Sequence, residues 1–215
     1  MRRHEILAMA DRLPTGISVL DRQLDGGIPP GSILLLSADP ASQSESLLYE
    51  IAAARGTLYV TTVRSEEAIR DAIERYRGGV GRLTIRDAGD YPPIDNATRL
   101  VRELPESSNL LIDVVDPLEE ADSTRYRSFL NELQTHMVNT GSIAVLHAMH
   151  GDPPANRGLT QHMADVVFDL QTDTSGSQIV NRLAVPKFRG GSALEETIKL
   201  KLTDGVTIDT SRDIA

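Results

Sequence analysis

Short apolar runs alternate along this chain with stretches whose apolar residues recur at every third or fourth position. The runs at 33–37, 57–63, 109–116, 142–150 and 166–170 are dense in aliphatic and β-branched residues, the pattern of strands buried on both faces of a parallel sheet. A further strand is expected at 83–86. Between them, 44–55 carries Leu47, Leu48, Ile51 and Ala52 at helical spacing and stops at Gly56. Ser65 is expected to cap a helix running to about Arg77, with Glu66 and Glu67 in its first turn and Gly78-Gly79 closing it. Helices are also expected near 95–104 and over 124–139, the latter capped by Ser123, stopped by Gly141 and burying Phe129, Leu130, Leu133 and Met137. A segment at 155–164 precedes the run at 166–170. Strand–helix alternation of this kind predicts an α/β fold.

The C-terminal third has a different rhythm. Strands at 178–185, 197–202 and 206–209, with turn residues at 172–176 and Asp204-Gly205, read as an antiparallel extension. At the other end, Ile17, Leu20 and Leu24 share one face of a short amphipathic turn that ends at Gly26-Gly27. Pro29-Pro30-Gly31 then turns the chain into the strand at 33–37.

Composition narrows the classes. At 215 residues the chain can bury one sizeable core, and residues 1–215 are read as a single domain. There is no Trp, and three Phe and five Tyr are the only aromatics, so the sheet is an aliphatic one. Cys is absent, which excludes a disulfide framework and a thiolate metal site. The apolar stretch within 1–10 is cut short by Asp11 and Arg12, unlike a signal peptide, and no run reaches the ~18–20 residues of a membrane span. A soluble, cytoplasmic protein is expected. The net charge is −9, and only Lys187, Lys199 and Lys201 among the 22 basic residues are lysines. That balance opposes binding to a phosphate backbone, so DNA is not an expected partner, and it fits a high-salt cytoplasm.

The chemistry, or its removal, lies at the first long strand. Residues 33–48 run from strand through a small-residue loop into a helix, the layout of a phosphate-binding loop. Aligned on Pro40, the pattern G-x-P-G-x-G-K-T-T-L reads here Ala38-Asp39-Pro40-Ala41-Ser42-Gln43-Ser44-Glu45-Ser46-Leu47. Ser44 stands at the lysine and Glu45 at the Mg²⁺-binding hydroxyl, a change of two charge units toward negative where polyphosphate would sit. Like charges ~4 Å apart repel by about 1 kcal/mol in water and roughly 4 at an effective dielectric of 20. Gln43 replaces a glycine. The loop alone is equally compatible with a plain strand–turn–helix that never bound phosphate.

The preceding stretch decides between them. Residues 15–32 read T-G-x-x-x-L-D-x-x-L-x-G-G-I-P-x-G-S, which resembles the RecA-like ATPases of the KaiC/RadA group. The resemblance covers roughly 14–209. It implies a three-layer RecA-like sandwich with a mostly parallel central sheet and a C-terminal antiparallel extension. It also implies that Asp113, within the run Asn109-Leu110-Leu111-Ile112-Asp113-Val114-Val115-Asp116, is the Walker B aspartate. The family's second strand ends in two glutamates that activate water, and here those positions read Val63 and Arg64, neither able to accept a proton at neutral pH. Lys187 and Arg189, within Pro186-Lys187-Phe188-Arg189-Gly190-Gly191-Ser192, match the family's K-x-R-G segment, which reaches the nucleotide of a neighbouring subunit.

Three functions stay open on this reading. The first is a catalytically inactive family member kept for regulation or assembly, forming a homo- or hetero-oligomer with a RecA-like ATPase. The second is an atypical ATPase, and the third a recombinase paralogue in DNA repair. The losses at Ser44, Glu45, Val63 and Arg64 favour the first, with no catalytic residue, no metal and no bound cofactor expected; ATP and Mg²⁺ belong to the second. His147, His150 and His162 lack paired ligands at metal spacing and are expected as strand-end or surface histidines.

Overall fold

The computed structural model describes residues 12–76, 81–89 and 92–209; the N-terminal stretch read above and the helix stop at Gly78-Gly79 lie outside the described residues. After a short helix α1 (Ser18–Gln23), the chain runs β1 (Ile33–Ala38), α2 (Glu45–Ala54), β2 (Thr57–Thr61), α3 (Glu66–Arg75), β3 (Leu83–Asp87), α4 (Pro93–Val101) and β4 (Asn109–Asp113). It continues through α5 (Asp116–Glu119), α6 (Ser123–Thr140), β5 (Ile143–Met149), α7 (Arg157–Met163), β6 (Val166–Asp173), β7 (Val180–Phe188), β8 (Ile198–Leu202) and β9 (Val206–Ile208). The strands form one sheet in the order β3-β2-β4-β5-β1-β6-β7-β8-β9. Its first six strands pair in parallel and β7 to β9 add on antiparallel, as the change of rhythm predicts.

β1 sits at the middle of the sheet, and all six of its residues are buried. Its alternate side chains feed two cores. Leu34 and Leu36 pack with α1, α2, Ile69 of α3 and the C-terminal strands. Ile33 and Leu35 pack on the other face with Ile94 and Leu100 of α4, Leu118 of α5 and Phe129, Leu130 and Leu133 of α6. Each strand rich in aliphatics on both faces is thus covered on both faces, which is why no polar alternation appears in it.

Several boundaries differ from the sequence expectation. β2 stops at Thr61 and β4 at Asp113, because Thr62 and Val114 leave the ladder to bond one another: Thr62 Oγ1 donates to Val114 O (2.6 Å) and accepts from Val114 N (3.0 Å). The cap of α6 is Asp122, not Ser123; its Oδ1 accepts from the N–H groups of Thr124 and Arg125, and Ser123 is the first helical residue. Ser65 does cap α3, accepting from Ala68 N. β6 runs on to Asp173, beyond the expected start of the turn, and β7 extends to Phe188, so Lys187 lies in a strand opposite Val167 rather than in a loop.

The sheet ends at β3 on one side, and that edge is blunted. Even-numbered residues of β3 bond inward to β2, as Arg82 O and Ala88 N do, so the odd-numbered peptide groups face out. Of these, Ile85 O accepts from Arg86 Nη1 (2.8 Å), and Asp87 N–H donates to Glu66 Oε1 (3.1 Å). Charged side chains folded over an edge hinder pairing with a further strand.

Candidate functional site

The carboxyl ends of β1, β4, β5 and β6 meet where a parallel sheet of this order places its ligands, beside the strand at which the order reverses. β1 delivers Ala38 and Asp39, and the chain turns through Ser42 N–H to Asp39 O (2.9 Å) before entering α2. Ser44 occupies the cap position of α2 in helical conformation, and its hydroxyl makes no capping bond. Ser42 Oγ is buried with no partner among the described residues. Capping by either serine, the structural role their position suggests, is therefore not made. Ser46 and Leu47 close tight turns back to Gln43 and Ser44, while the N–H groups of Gln43, Ser44 and Glu45 find no acceptor among the described residues. Glu45 sits in the first turn of α2, where a carboxylate meets the positive end of the helix dipole.

Asp113, at the end of β4, is buried and doubly held. Its Oδ1 accepts from His147 Nδ1 (2.7 Å) and its Oδ2 from the Tyr59 hydroxyl (2.5 Å). Register explains the cluster: Asp113 pairs with His147 on β5 and with Thr61 on β2, two residues past Tyr59. Burial alone would push the Asp113 carboxyl up, but the bonds from His147 and Tyr59 and the nearby Arg64 charge hold it below the usual value. Burial and the same carboxylate push the Tyr59 hydroxyl well above its ordinary range. His147 is thus a buried partner of the aspartate, which its place near a strand end did not reveal.

Val63, just past β2, is 69% exposed, whereas Arg64 folds back. Arg64 Nη2 donates to Ala68 O (3.2 Å), and burial pushes the Tyr49 hydroxyl on α2 up while the Arg64 charge opposes that rise. It is a cation near Asp113 contributed by β2's exit.

Lys187 and Arg189 converge on the end of α7. Lys187 Nζ donates to Gln161 O and His162 O, both at 2.8 Å, and Arg189 donates to His162 O (2.8 Å) and to Asp165 Oδ1 (3.2 Å). These are carbonyls a helix leaves unsatisfied at its C-terminus. Partial burial and then the Arg189 charge lower the Lys187 ammonium below its ordinary value. His162 is exposed and takes part through its carbonyl.

A second polar cluster has no counterpart in the sequence reading. Arg157 Nε donates to both oxygens of Glu119 (3.0 and 2.8 Å), Nη2 to Asp116 Oδ1 (2.7 Å) and Nη1 to Met149 O (2.8 Å). Thr160 also donates to Glu119, Tyr126 donates to Thr160 (2.8 Å), and Asn156 Nδ2 bonds the carbonyls of Glu119 and Ala121. Arg157 lies some forty positions from Asp116 and Glu119 in the chain, and no local pattern marks the group. Among the described residues no group of three or more His, Asp or Glu is arranged to hold a metal ion, and no helix is long and apolar enough to cross a membrane.

The same architecture occurs in a KaiC-like protein from Pyrococcus horikoshii OT3, with a TM-score of 0.75, 16% identity, and coverage of 93% of this chain and 99% of that one. It occurs too in the flagellar accessory protein FlaH of Methanocaldococcus jannaschii, with a TM-score of 0.72, 15% identity, and coverage of 93% and 99%. In sequence the chain is 29% identical over 181 residues to the DNA repair protein RadA of Mycobacterium tuberculosis (strain H37Rv), covering 76% of this chain and 37% of RadA. It is 27% identical over 211 residues to RadA of Brucella abortus (strain 2308), covering 91% of this chain and 44% of RadA. The chain thus spans less than half the length of these curated relatives. The fold is that of the RecA-like KaiC/RadA group, in agreement with the signature at 15–32. Residues 12–215 match DUF7125, a family of unknown function, and the chain belongs to that family.

Proposed function

We propose that this protein is a catalytically inactive RecA-like subunit that serves a regulatory or assembly role beside an ATP-binding relative. The observation that carries this reading is Asp113. In the family's manner of binding, that carboxylate faces a hydrated Mg²⁺, but here His147 and Tyr59 occupy both its oxygens. Ser44 and Glu45 supply no cation to the loop, and Val63 and Arg64 supply no base. The residues present do not fit Mg-ATP in the family's way. These losses fall separately on phosphate binding, metal binding and water activation, so no single replacement restores all three.

Regulation would act through the face that keeps its charge. Lys187 uses two of its three donors on α7, and the remaining N–H groups of Lys187 and Arg189 can meet an anion from a neighbouring subunit. A cation supplied in trans is worth ~10³–10⁵ in rate among nucleotide hydrolases. Calorimetric titration with Mg-ATP at high salt is expected to give no heat of binding, and the isolated protein no turnover. Turnover proportional to protein and lost in Asp113→Ala would overturn the reading. In a complex with its native partner, Lys187→Ala/Arg189→Ala should lower ATPase activity at least tenfold. Unchanged activity in an intact complex would leave these residues with the α7 clamp alone.

A second reading, ATP binding by an atypical route, is favoured by the unpaired N–H groups of Gln43, Ser44 and Glu45 and by the unpartnered Ser42 hydroxyl. Tight binding in the same titration, without turnover, would select it. The DNA repair role named for the RadA relatives is not transferred, because a chain of charge −9 opposes a phosphate backbone.

A further inference from the structure

β5 ends at Met149, and the next residue, His150, donates its backbone N–H to Ala38 O (2.8 Å) at the exit of β1. That bond sets the imidazole between two carboxylates from different elements. Nδ1 lies 3.2 Å from Asp39 Oδ1, at the first residue of the loop into α2, and Nε2 lies 2.8 Å from Asp169 Oδ1 on β6. All three side chains are partly exposed, at 29%, 42% and 29%, so protons exchange freely with solvent. Ionised carboxylates only accept hydrogen bonds, and a neutral imidazole carries one N–H. Two simultaneous contacts therefore require both ring nitrogens to be protonated.

We propose that His150 is a proton-operated clasp: as an imidazolium it ties the loop at 39–44 to β6, and losing one proton frees that loop. The contact that opens is the one to Asp39. It is the longer of the two, and Asp39 lies on a loop, whereas Asp169 is held in the sheet opposite Ser37 and Ala184 and accepts from Gln171 Nε2 (3.1 Å) on its other oxygen. The ring faces a cleft of about 340 Å³ that Ser37, Arg157, Gln161 and Asp169 also line. The charged groups around it are thus Asp39 from the β1 exit, Asp169 from β6 and Arg157 from α7. Arg157 is bonded to Asp116, Glu119 and Met149 O, so its charge is already matched. The clasp stands whether or not the loop ever meets a nucleotide, since it needs only the imidazole and two carboxylates.

The test is ring-nitrogen NMR on the full chain, with the His150 signals assigned by their loss in His150→Gln. At low pH, with both contacts made, both ring nitrogens should show the protonated, imidazolium signature. As pH rises, the amide resonances of Asp39 and of Ala41 to Ser44 should shift with the same midpoint as the ring. In Asp39→Ala, whose side chain is half in solvent, the ring should titrate at lower pH and the loop shift should vanish. A ring that keeps both carboxylate contacts after losing a proton would overturn the proposal. So would loop resonances that stay still while the ring deprotonates, or an Asp39→Ala loop that still follows the ring.

Discussion

Two polar clusters lie along the carboxyl edge of one sheet, and they treat their donors in opposite ways. Around Arg157, buried charge is matched bond for bond: the guanidinium meets Glu119, Asp116 and a carbonyl, and the remaining Glu119 capacity goes to Thr160. In the loop between β1 and α2, three N–H groups and the Ser42 hydroxyl have no partner among the described residues. Both regions are rich in polar atoms, yet only the first ties its donors to partners within the chain. A buried charge without its partner is too costly to persist, whereas helix-end N–H groups can face water or a ligand at little cost. The loop therefore keeps its donors for water or an anion, and the Arg157 cluster has the character of an internal staple.

The comparison breaks first at Arg157. Arg157→Ala strands Glu119 and Asp116, and removing one partner of a buried pair costs about 3–5 kcal/mol. Chemical denaturation should show that loss as a lower midpoint with an unchanged slope. A change below about 1 kcal/mol would mean that water reaches Glu119 and the cluster is no staple.

Asp113 tests which of the two kinds it belongs to. Tyr59→Phe removes the donor to Oδ2 and leaves His147 on Oδ1. An unsatisfied buried acceptor costs about 1–3 kcal/mol, to be read in the same denaturation experiment. If Tyr59→Phe is neutral, the Asp113 carboxylate is open enough to resemble the loop rather than the staple. The proposed lack of a metal role would then lose its main support.

Lys187 gives a smaller effect. Its ammonium meets two carbonyls at the end of α7 but is only partly buried. Lys187→Ala should cost about 1 kcal/mol, the worth of an ordinary hydrogen-bond set at a helix C-terminus. Loss of stability alone, with partner ATPase intact, would assign the residue wholly to this chain.

The fold was legible because strand periodicity and turn residues are local. Fully apolar runs marked the central strands, and Gly141, in left-handed conformation (φ 61), marked the end of α6. The signature at 15–32 fixed the group. What stayed hidden depends on contacts between distant residues. His147 became a partner of Asp113 only through β4–β5 register, and Asp116, Glu119 and Arg157 met only because α5 and α7 pack at one edge. Ser123 next to Asp122 shows a local limit too: two capping residues stood side by side, and the carboxylate, reaching two N–H groups at once, won. Lys187 was visible as a rare lysine, but nothing in its neighbourhood announced that α7 would end beneath it.

The smallest effects lie in the loop itself, and they separate its electrostatics from its hydrogen bonds. Ser44 makes no capping bond, so Ser44→Ala should change stability by less than about 0.5 kcal/mol, well under the ~1 kcal/mol expected of a working cap. Glu45 acts by charge alone, in the first turn of α2. Glu45→Lys reverses a favourable charge at a helix N-terminus and should cost about 0.3–1 kcal/mol, less at high salt because the site is partly exposed. The double change Ser44→Lys/Glu45→Thr rebuilds the lysine and the hydroxyl of a phosphate-binding loop while Val63 and Arg64 stay in place. It should lose the Glu45 stabilisation, gain at most nucleotide binding, and show no hydrolysis. Recovered ATPase activity in that variant would mean that Val63 and Arg64 are no obstacle to catalysis.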